Sequence, residues 1–174
     1  MAKSLIAYYS HSGQNYRDAE VTDLTTGNTR IVAEKIAELT GSELFRIHPV
    51  KAYPENYRET LEIARKELGE HARPPLAETV QDIGAYDMVY LGYPIWWGVM
   101  PMPVLTFLDS YDFSGKKIAP FCTHEGSGLG MSERYIRQAC PKATLLPGLA
   151  ITGDMAGQAE GDIKDWLKKL GVAS

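Results

Sequence analysis

Five times along this chain a short apolar run gives way to a segment whose apolar residues recur at helical spacing. Leu5-Ile6-Ala7-Tyr8-Tyr9 is a continuous apolar run, as expected of a strand buried on both faces, and Val32, Ile36 and Leu39 then share one face of a helix capped by Asn28. Glu43 to Ile47 is a second strand that admits polar residues, which places it nearer a sheet edge. After Pro54, Tyr57, Leu61, Ala64 and Leu68 repeat at helical spacing until Pro74-Pro75 ends the pattern. Met88-Val89-Tyr90-Leu91 is the third strand, followed by a helix from Pro103 through Val104, Leu105, Phe107 and Leu108. Lys117 to Phe121 opens the fourth pair, whose helix covers Ser132 to Ala139 with Tyr135, Ile136 and Ala139 inward and stops at Pro141. The fifth pair is Thr144 to Ile151, interrupted by Pro147-Gly148, and a helix carrying Ile163, Trp166, Leu167 and Leu170.

Five strands alternating with five helices require an α/β architecture: a parallel sheet in the middle of a three-layer α/β/α sandwich, because right-handed crossovers lay helices on both faces. The 174 residues, 44% of them hydrophobic, suffice to bury a full core and are read as one domain over 1–174. A formal net charge of −4 argues against a nucleic-acid binder and for partners with basic surfaces. Cys122 and Cys140 have no metal-ligand spacing and read as buried thiols in a reducing cytoplasm. The N-terminus shows no signal segment and no apolar run is of membrane-spanning length, so no membrane association is expected.

Ligands of such sheets bind outside the carboxyl ends of the strands, and the unusual chemistry of this chain is concentrated there. After the first strand come Ser10-His11-Ser12-Gly13, then Gln14 to Gly27, then Asn28-Thr29 at a helix start. Hydroxyls, loop amides and a helix N-terminus surround a phosphate without any cationic side chain. Neither the Lys-Ser/Thr pair of a nucleotide-triphosphate loop nor three spaced glycines are present. Taken alone, Asn28-Thr29 reads as a cap, and the other two loops reverse that reading. After the third strand, Tyr93-Pro94-Ile95-Trp96-Trp97-Gly98 brings two of the three tryptophans to a strand end between proline and glycine, which suits a flat ring better than a core position. After the fourth, Thr123-His124-Glu125-Gly126-Ser127-Gly128-Leu129-Gly130 offers backbone groups to a ring edge. His124 beside Glu125 suggests acid–base chemistry, but no nucleophile or third group accompanies them, so a solvated pair is expected and no catalytic residue or metal ligand is assigned.

These loops resemble those of the flavodoxin family over essentially the whole chain. Ser10-His11-Ser12-Gly13 with Asn28-Thr29 is similar to the family's phosphate loop, split by an insertion; Gly92 to Trp97 is similar to its aromatic flavin loop, and Thr123 to Gly128 to its third loop. The resemblance implies a five-stranded sheet of order 2-1-3-4-5 and noncovalent binding of flavin mononucleotide (FMN). It implies that Ser10, Ser12, Asn28 and Thr29 hold the phosphate, Trp96 stacks on the isoalloxazine, and Thr123, Glu125, Gly126 and Gly128 line its pyrimidine side, with His11, Pro94, Ile95, Trp97, Gly98 and His124 in the same loops. Within the insertion, Asn15 and Tyr16 are expected to fold back and add an amide and a hydroxyl to the phosphate site. Trp97 stands where many flavodoxins have glycine in a peptide that flips to hydrogen-bond the half-reduced flavin, and the run from Pro94 to Gly98 with Pro101 also resembles the flavin loop of flavodoxin-like quinone reductases.

The function these features imply is that of an FMN-containing electron-transfer protein, with Glu125 and an apolar sandwich lowering the flavin potential. The alternative is an NAD(P)H-dependent quinone or flavin reductase on the same fold; a scaffold that has lost its cofactor is disfavoured, because all three loops survive together. Redox partner proteins or small-molecule electron acceptors are the expected partners, and the chain is expected to be a monomer or homodimer.

Overall fold

The computed structural model describes residues 3–17, 20–24 and 26–172, and of residues 13–17 and 20–24 the backbone only. The elements are β1 (Lys3–Tyr8), β2 (Gly13–Arg17), β3 (Glu20–Leu24), α1 (Asn28–Thr40), β4 (Glu43–Arg46), α2 (Tyr57–Gly69), β5 (Tyr86–Pro94), α3 (Met102–Asp109), β6 (Lys117–His124), α4 (Ser132–Ala139), β7 (Thr144–Leu145), β8 (Leu149–Thr152) and α5 (Glu160–Lys169), with a 3₁₀ turn at Gly153–Gln158 before α5. The main sheet is parallel and runs β4-β1-β5-β6-β7, with β8 also on β6. This is the order 2-1-3-4-5, its fifth strand broken into β7 and β8 at Leu146–Gly148.

Period-two alternation divides the core. Leu5, Ala7, Val89, Leu91, Tyr93, Ile118 and Cys122 point to one face, where Ala64 of α2, Leu105 and Phe107 of α3 and Ile136 of α4 cover them. Ile6, Tyr8, Tyr90, Ala119, Phe121 and Ile151 point to the other, against Val32, Ala33 and Ile36 of α1 and Ile163, Trp166 and Leu167 of α5. Both faces are apolar, which is why the central strands read as unbroken apolar runs. Trp166 anchors the α5 layer by donating its indole N–H to Pro147 O at 2.8 Å, so the proline that breaks the last strand is also its point of attachment.

One helix start differs from the expected one. Asn28 does not cap α1; the cap position is Gly27, and Asn28 is the first helical residue. The second helix starts after Pro54 as expected: α2 begins at Tyr57, where Asn56 accepts the Glu59 N–H at 2.9 Å and so satisfies the first turn. The insertion after β1 contains the antiparallel ribbon β2–β3, with Gly13 opposite Leu24 and Arg17 opposite Glu20, separate from the main sheet. Its β2 backbone lies near α2 and the 3₁₀ turn. Among the described residues, no helix is long and apolar enough to cross a membrane. Cys122 and Cys140 are both free and buried, and burial pushes the Cys122 thiol up to about 12, which makes it inert.

Candidate functional site

The carboxyl ends of β1, β5 and β6 lie side by side, with Tyr8 opposite Gly92 and Pro94 opposite Thr123. The chain leaves β1 toward β4 on one side and returns to β5 on the other, so the loops after β1 and β5 diverge at a switch point and leave a cleft between them. Its walls are His11, Asn28, Tyr57, Pro94, Ile95, Trp96, Thr123, His124 and Glu125. Eight of these nine belong to the set expected from sequence.

Behind the cleft floor, Ser10 and Thr29 meet the start of α1. The Arg30 N–H donates to Ser10 Oγ at 3.1 Å, and the Thr29 and Thr123 hydroxyls pair at 2.8 Å, all three hydroxyl-bearing residues being buried. Gly27 permits this approach, since a Cβ there would stand 2.5 Å from the His11 carbonyl oxygen. Gly27 supplies no side-chain cap, and the first turn of α1 has no acidic residue. The helix start is therefore served by the Ser10 hydroxyl, and no acidic residue of its own first turn opposes its positive dipole end. Such a donor set, hydroxyls and helical N–H groups, fits a phosphate. Ser12 is exposed, and the side chains of Asn15 and Tyr16 lie outside the described residues.

The two tryptophans have separate roles. Trp96 is only 4% exposed and its ring meets Tyr9, Tyr53 and His11 edge to face, at centroid distances of 5.5, 5.4 and 5.8 Å. It is a rigid wall rather than the open indole expected of a loop. Trp97 is 50% exposed and turns to α2, donating its indole N–H to Leu61 O at 2.7 Å, with the Arg65 guanidinium 5.6 Å above its ring. Trp97 and Gly98 have φ of 57° and 81°, and Trp96 and Val99 exchange backbone hydrogen bonds around them. That combination is a type I′ turn. Gly98 is tied in turn to the loop after β6, because Met131 N–H donates to Gly98 O at 2.8 Å.

His11 is tied to the start of α2. Its Nε2–H donates to Pro54 O at 2.9 Å, and the Thr60 hydroxyl donates to the same carbonyl at 2.6 Å. On the far wall, His124 Nδ1 accepts the N–H groups of Gly126 and Gly128 at 2.9 and 3.1 Å. Of the expected solvated pair, Glu125 is exposed, whereas the half-buried His124 ring supports the glycine turn that follows it. Glu125 and Asn28 both close on Gly153, where a Cβ would come within 2.6 Å of Asn28 Nδ2.

Sequence reasoning missed Tyr57 and the aromatic backing of Trp96. Tyr57 and the backing ring of Tyr53 come from the β4–α2 loop and the start of α2, a carboxyl-end loop not considered, in which Tyr53, Pro54, Asn56 and Tyr57 lie together; Tyr9 and His11 follow β1. Tyr53 also donates to Glu67 of α2. Burial raises the pKa of this phenol, and the hydrogen bond to the carboxylate raises it further.

Comparison with known proteins follows the same lines. The family model described as Flavodoxin matches residues 3–170. Among solved structures, an inferred flavoprotein from Bacteroides eggerthii superposes with a TM-score of 0.77 at 28% identity over 99% of this chain and 100% of its own. A similar protein from Bacteroides uniformis gives 0.75 at 27% identity over 94% and 98%. A flavoprotein from Lactobacillus acidophilus, solved in complex with FMN, gives 0.71 at 22% identity over 95% and 99%, which speaks to the fold. No curated protein matches.

Proposed function

Because this chain belongs to the flavodoxin family, we propose that it binds FMN noncovalently in the cleft between the β1 and β5 loops and works as an electron carrier. The observation that carries this reading is the pairing, in one cleft, of an indole wall with a helix start that hydroxyls serve and whose first turn has no acidic residue. The FMN complex of the Lactobacillus acidophilus protein supports the same cofactor on this fold. Bound flavin supplies the redox chemistry.

The protein's own residues bind, orient and shield. Ser10 and Thr29, now bonded to Arg30 N–H and to Thr123, turn their hydroxyls to the phosphate beside the N–H groups of α1. Trp96 presents a flat wall at little entropic cost, because Tyr9, Tyr53 and His11 already hold it. Pro94, Ile95 and Tyr57 exclude water from the ring, while Thr123, His124 and Glu125 meet its polar edge. Electrons pass to redox proteins or small acceptors, in a cytoplasm where the two thiols stay reduced.

One observation favours the second reading, an NAD(P)H-dependent quinone or flavin reductase. Reversing the Trp97–Gly98 peptide converts a type I′ turn into type II′, which keeps φ of Trp97 positive but carries its ψ to a region that only glycine occupies readily. The backbone beside the flavin is then unable to adapt to single-electron steps, and transfer in pairs is favoured. Anaerobic reductive titration of the FMN-loaded protein, followed by absorption, tests the two readings. Uptake of one electron and then a second supports the carrier. Uptake of both together, with NAD(P)H-dependent turnover of quinones, supports the reductase.

A further inference from the structure

His124 ends β6, and its ring makes a contact that neither acid–base chemistry nor solvation requires. Two backbone N–H groups, from Gly126 and Gly128, converge on Nδ1. A nitrogen that accepts from both keeps its lone pair, so the neutral ring carries its hydrogen on Nε2. Gly126 and Gly128 have φ of 134° and 63°, a local path that offers these amides no helix or strand partner. The imidazole stands in for that partner.

The support is passed along. Gly128 O accepts from the Cys122 thiol at 3.6 Å, Gly130 packs so closely on the Trp97–Gly98 turn that a Cβ there would lie 3.0 Å from Gly98 C, and Met131 N–H holds Gly98 O. One ring nitrogen thus fixes the turn after β6, and that turn braces the turn after β5. Both run directly from the walls of the cleft.

We infer that His124 is the positioning residue of the cleft: neutral, it holds the Glu125–Gly128 turn in its binding shape, and a proton on Nδ1 releases both amides and weakens FMN binding. This rests on the reading above that the cleft takes FMN. A protonated Nδ1 faces two N–H groups with an N–H of its own, so the contact turns from attraction to repulsion. The titratable groups sharing the cleft with the ring are His11 from the β1 loop, Tyr57 from α2 and Glu125 beside it. Its β8 neighbour, Thr152, is uncharged. Burial lowers the pKa of His124, which keeps the accepting form present at neutral pH.

Two measurements test this. In the flavin-free protein, a pH titration by ¹⁵N NMR follows the His124 ring and the Gly126 and Gly128 amides together; all three are expected to move in one transition. FMN affinity is then measured from pH 8 to pH 5 for the wild type, His124→Asn and His124→Leu. The asparagine carbonyl restores an acceptor near the Nδ1 position and does not titrate, while leucine removes the acceptor. The wild-type Kd is expected to rise by up to about tenfold per pH unit below the ring's transition, beyond the change from the flavin phosphate that all three proteins share. His124→Leu is expected to bind about tenfold more weakly than wild type at pH 8 with no ring-linked slope, and His124→Asn to recover most of that loss, also without the slope. Retention of the wild-type pH profile by His124→Asn, or wild-type affinity of His124→Leu at pH 8, overturns the inference. So do Gly126 and Gly128 amides that ignore the ring, whether or not flavin binds. Amides that follow the ring in a protein without FMN affinity at pH 8 overturn the cofactor reading instead.

Discussion

Replacing Gly27 with alanine sets two effects of opposite sign against each other. Gly27 has φ −64° and ψ 153°, angles any residue adopts, so backbone entropy alone favours alanine by about 0.4–1 kcal/mol. The new Cβ, however, would stand 2.5 Å from the His11 carbonyl oxygen and 3.0 Å from its carbon, about 1 Å inside ordinary contact, and these are backbone atoms with no rotamer to change. The start of α1 must therefore move off the β1 loop. Overpacking of this kind costs about 1–3 kcal/mol, and stretching the 3.1 Å bond from Arg30 N–H to Ser10 Oγ adds about 0.5–1.5. The net expectation is a loss of about 1–3 kcal/mol, seen as a fall in Tm of about 3–10 °C for a chain of this size. The assay is urea unfolding of the flavin-free protein, with FMN affinity measured in parallel and expected to fall about tenfold as Ser10 leaves the helix start. A Gly27→Ala protein more stable than wild type would refute the close approach on which the phosphate site is built.

Trp97→Gly is expected to stay within about 1 kcal/mol of wild-type stability, because relief of a positive φ offsets the lost bond to Leu61 O and the Arg65 contact. Reductive titration of its FMN complex should show more single-electron character than wild type, and an unchanged titration would contradict the role given to the turn. Glu125→Gln is expected to raise the flavin midpoint potential by tens of millivolts, since it removes a negative charge from the cleft edge; spectroelectrochemistry reads this, and no shift counts against it. Burial raises the pKa of Glu67 and the Tyr53 hydrogen bond opposes that rise. A raised folded value means that the folded state binds the extra proton, so this group's contribution is complete below the unfolded value and is lost as pH climbs from 4.5 through the folded value. Tyr53→Phe removes the opposing bond and should extend that loss to higher pH, as followed by the urea midpoint between pH 4 and pH 8.

What was legible in the sequence follows from what is buried twice. Leu5 to Tyr9 and Met88 to Leu91 read as strands because both their faces meet helices, and the Pro147-Gly148 break in the last strand is the break between β7 and β8. The three loops were legible because proline, glycine and tryptophan are rarely brought together without a use. The ribbon at β2–β3 was not, since Gly13 to Leu24 has too few apolar residues to show any period. Trp96 and Trp97 are adjacent and identical in type; a left-handed backbone at Trp97 sends one into the aromatic cluster and the other onto α2, and no local pattern announces that turn. His124 was expected to be solvated beside Glu125, whereas its partners are amides, which every residue but proline carries and no sequence marks. Tyr57 was hidden for a similar reason: it counted as one more apolar position on a helix face, although it sits in the first turn of α2 at the cleft.

The measurement that bears most directly on the account is the binding of FMN compared with riboflavin to the flavin-free protein, by quenching of flavin fluorescence. The two differ only in the phosphate, which the account assigns to Ser10, Thr29 and the start of α1. FMN is expected to bind one to one and at least about 30-fold more tightly, a difference of about 2 kcal/mol for an anion at a well-prepared helix start. Equal affinity for the two flavins, or none for either, would contradict it.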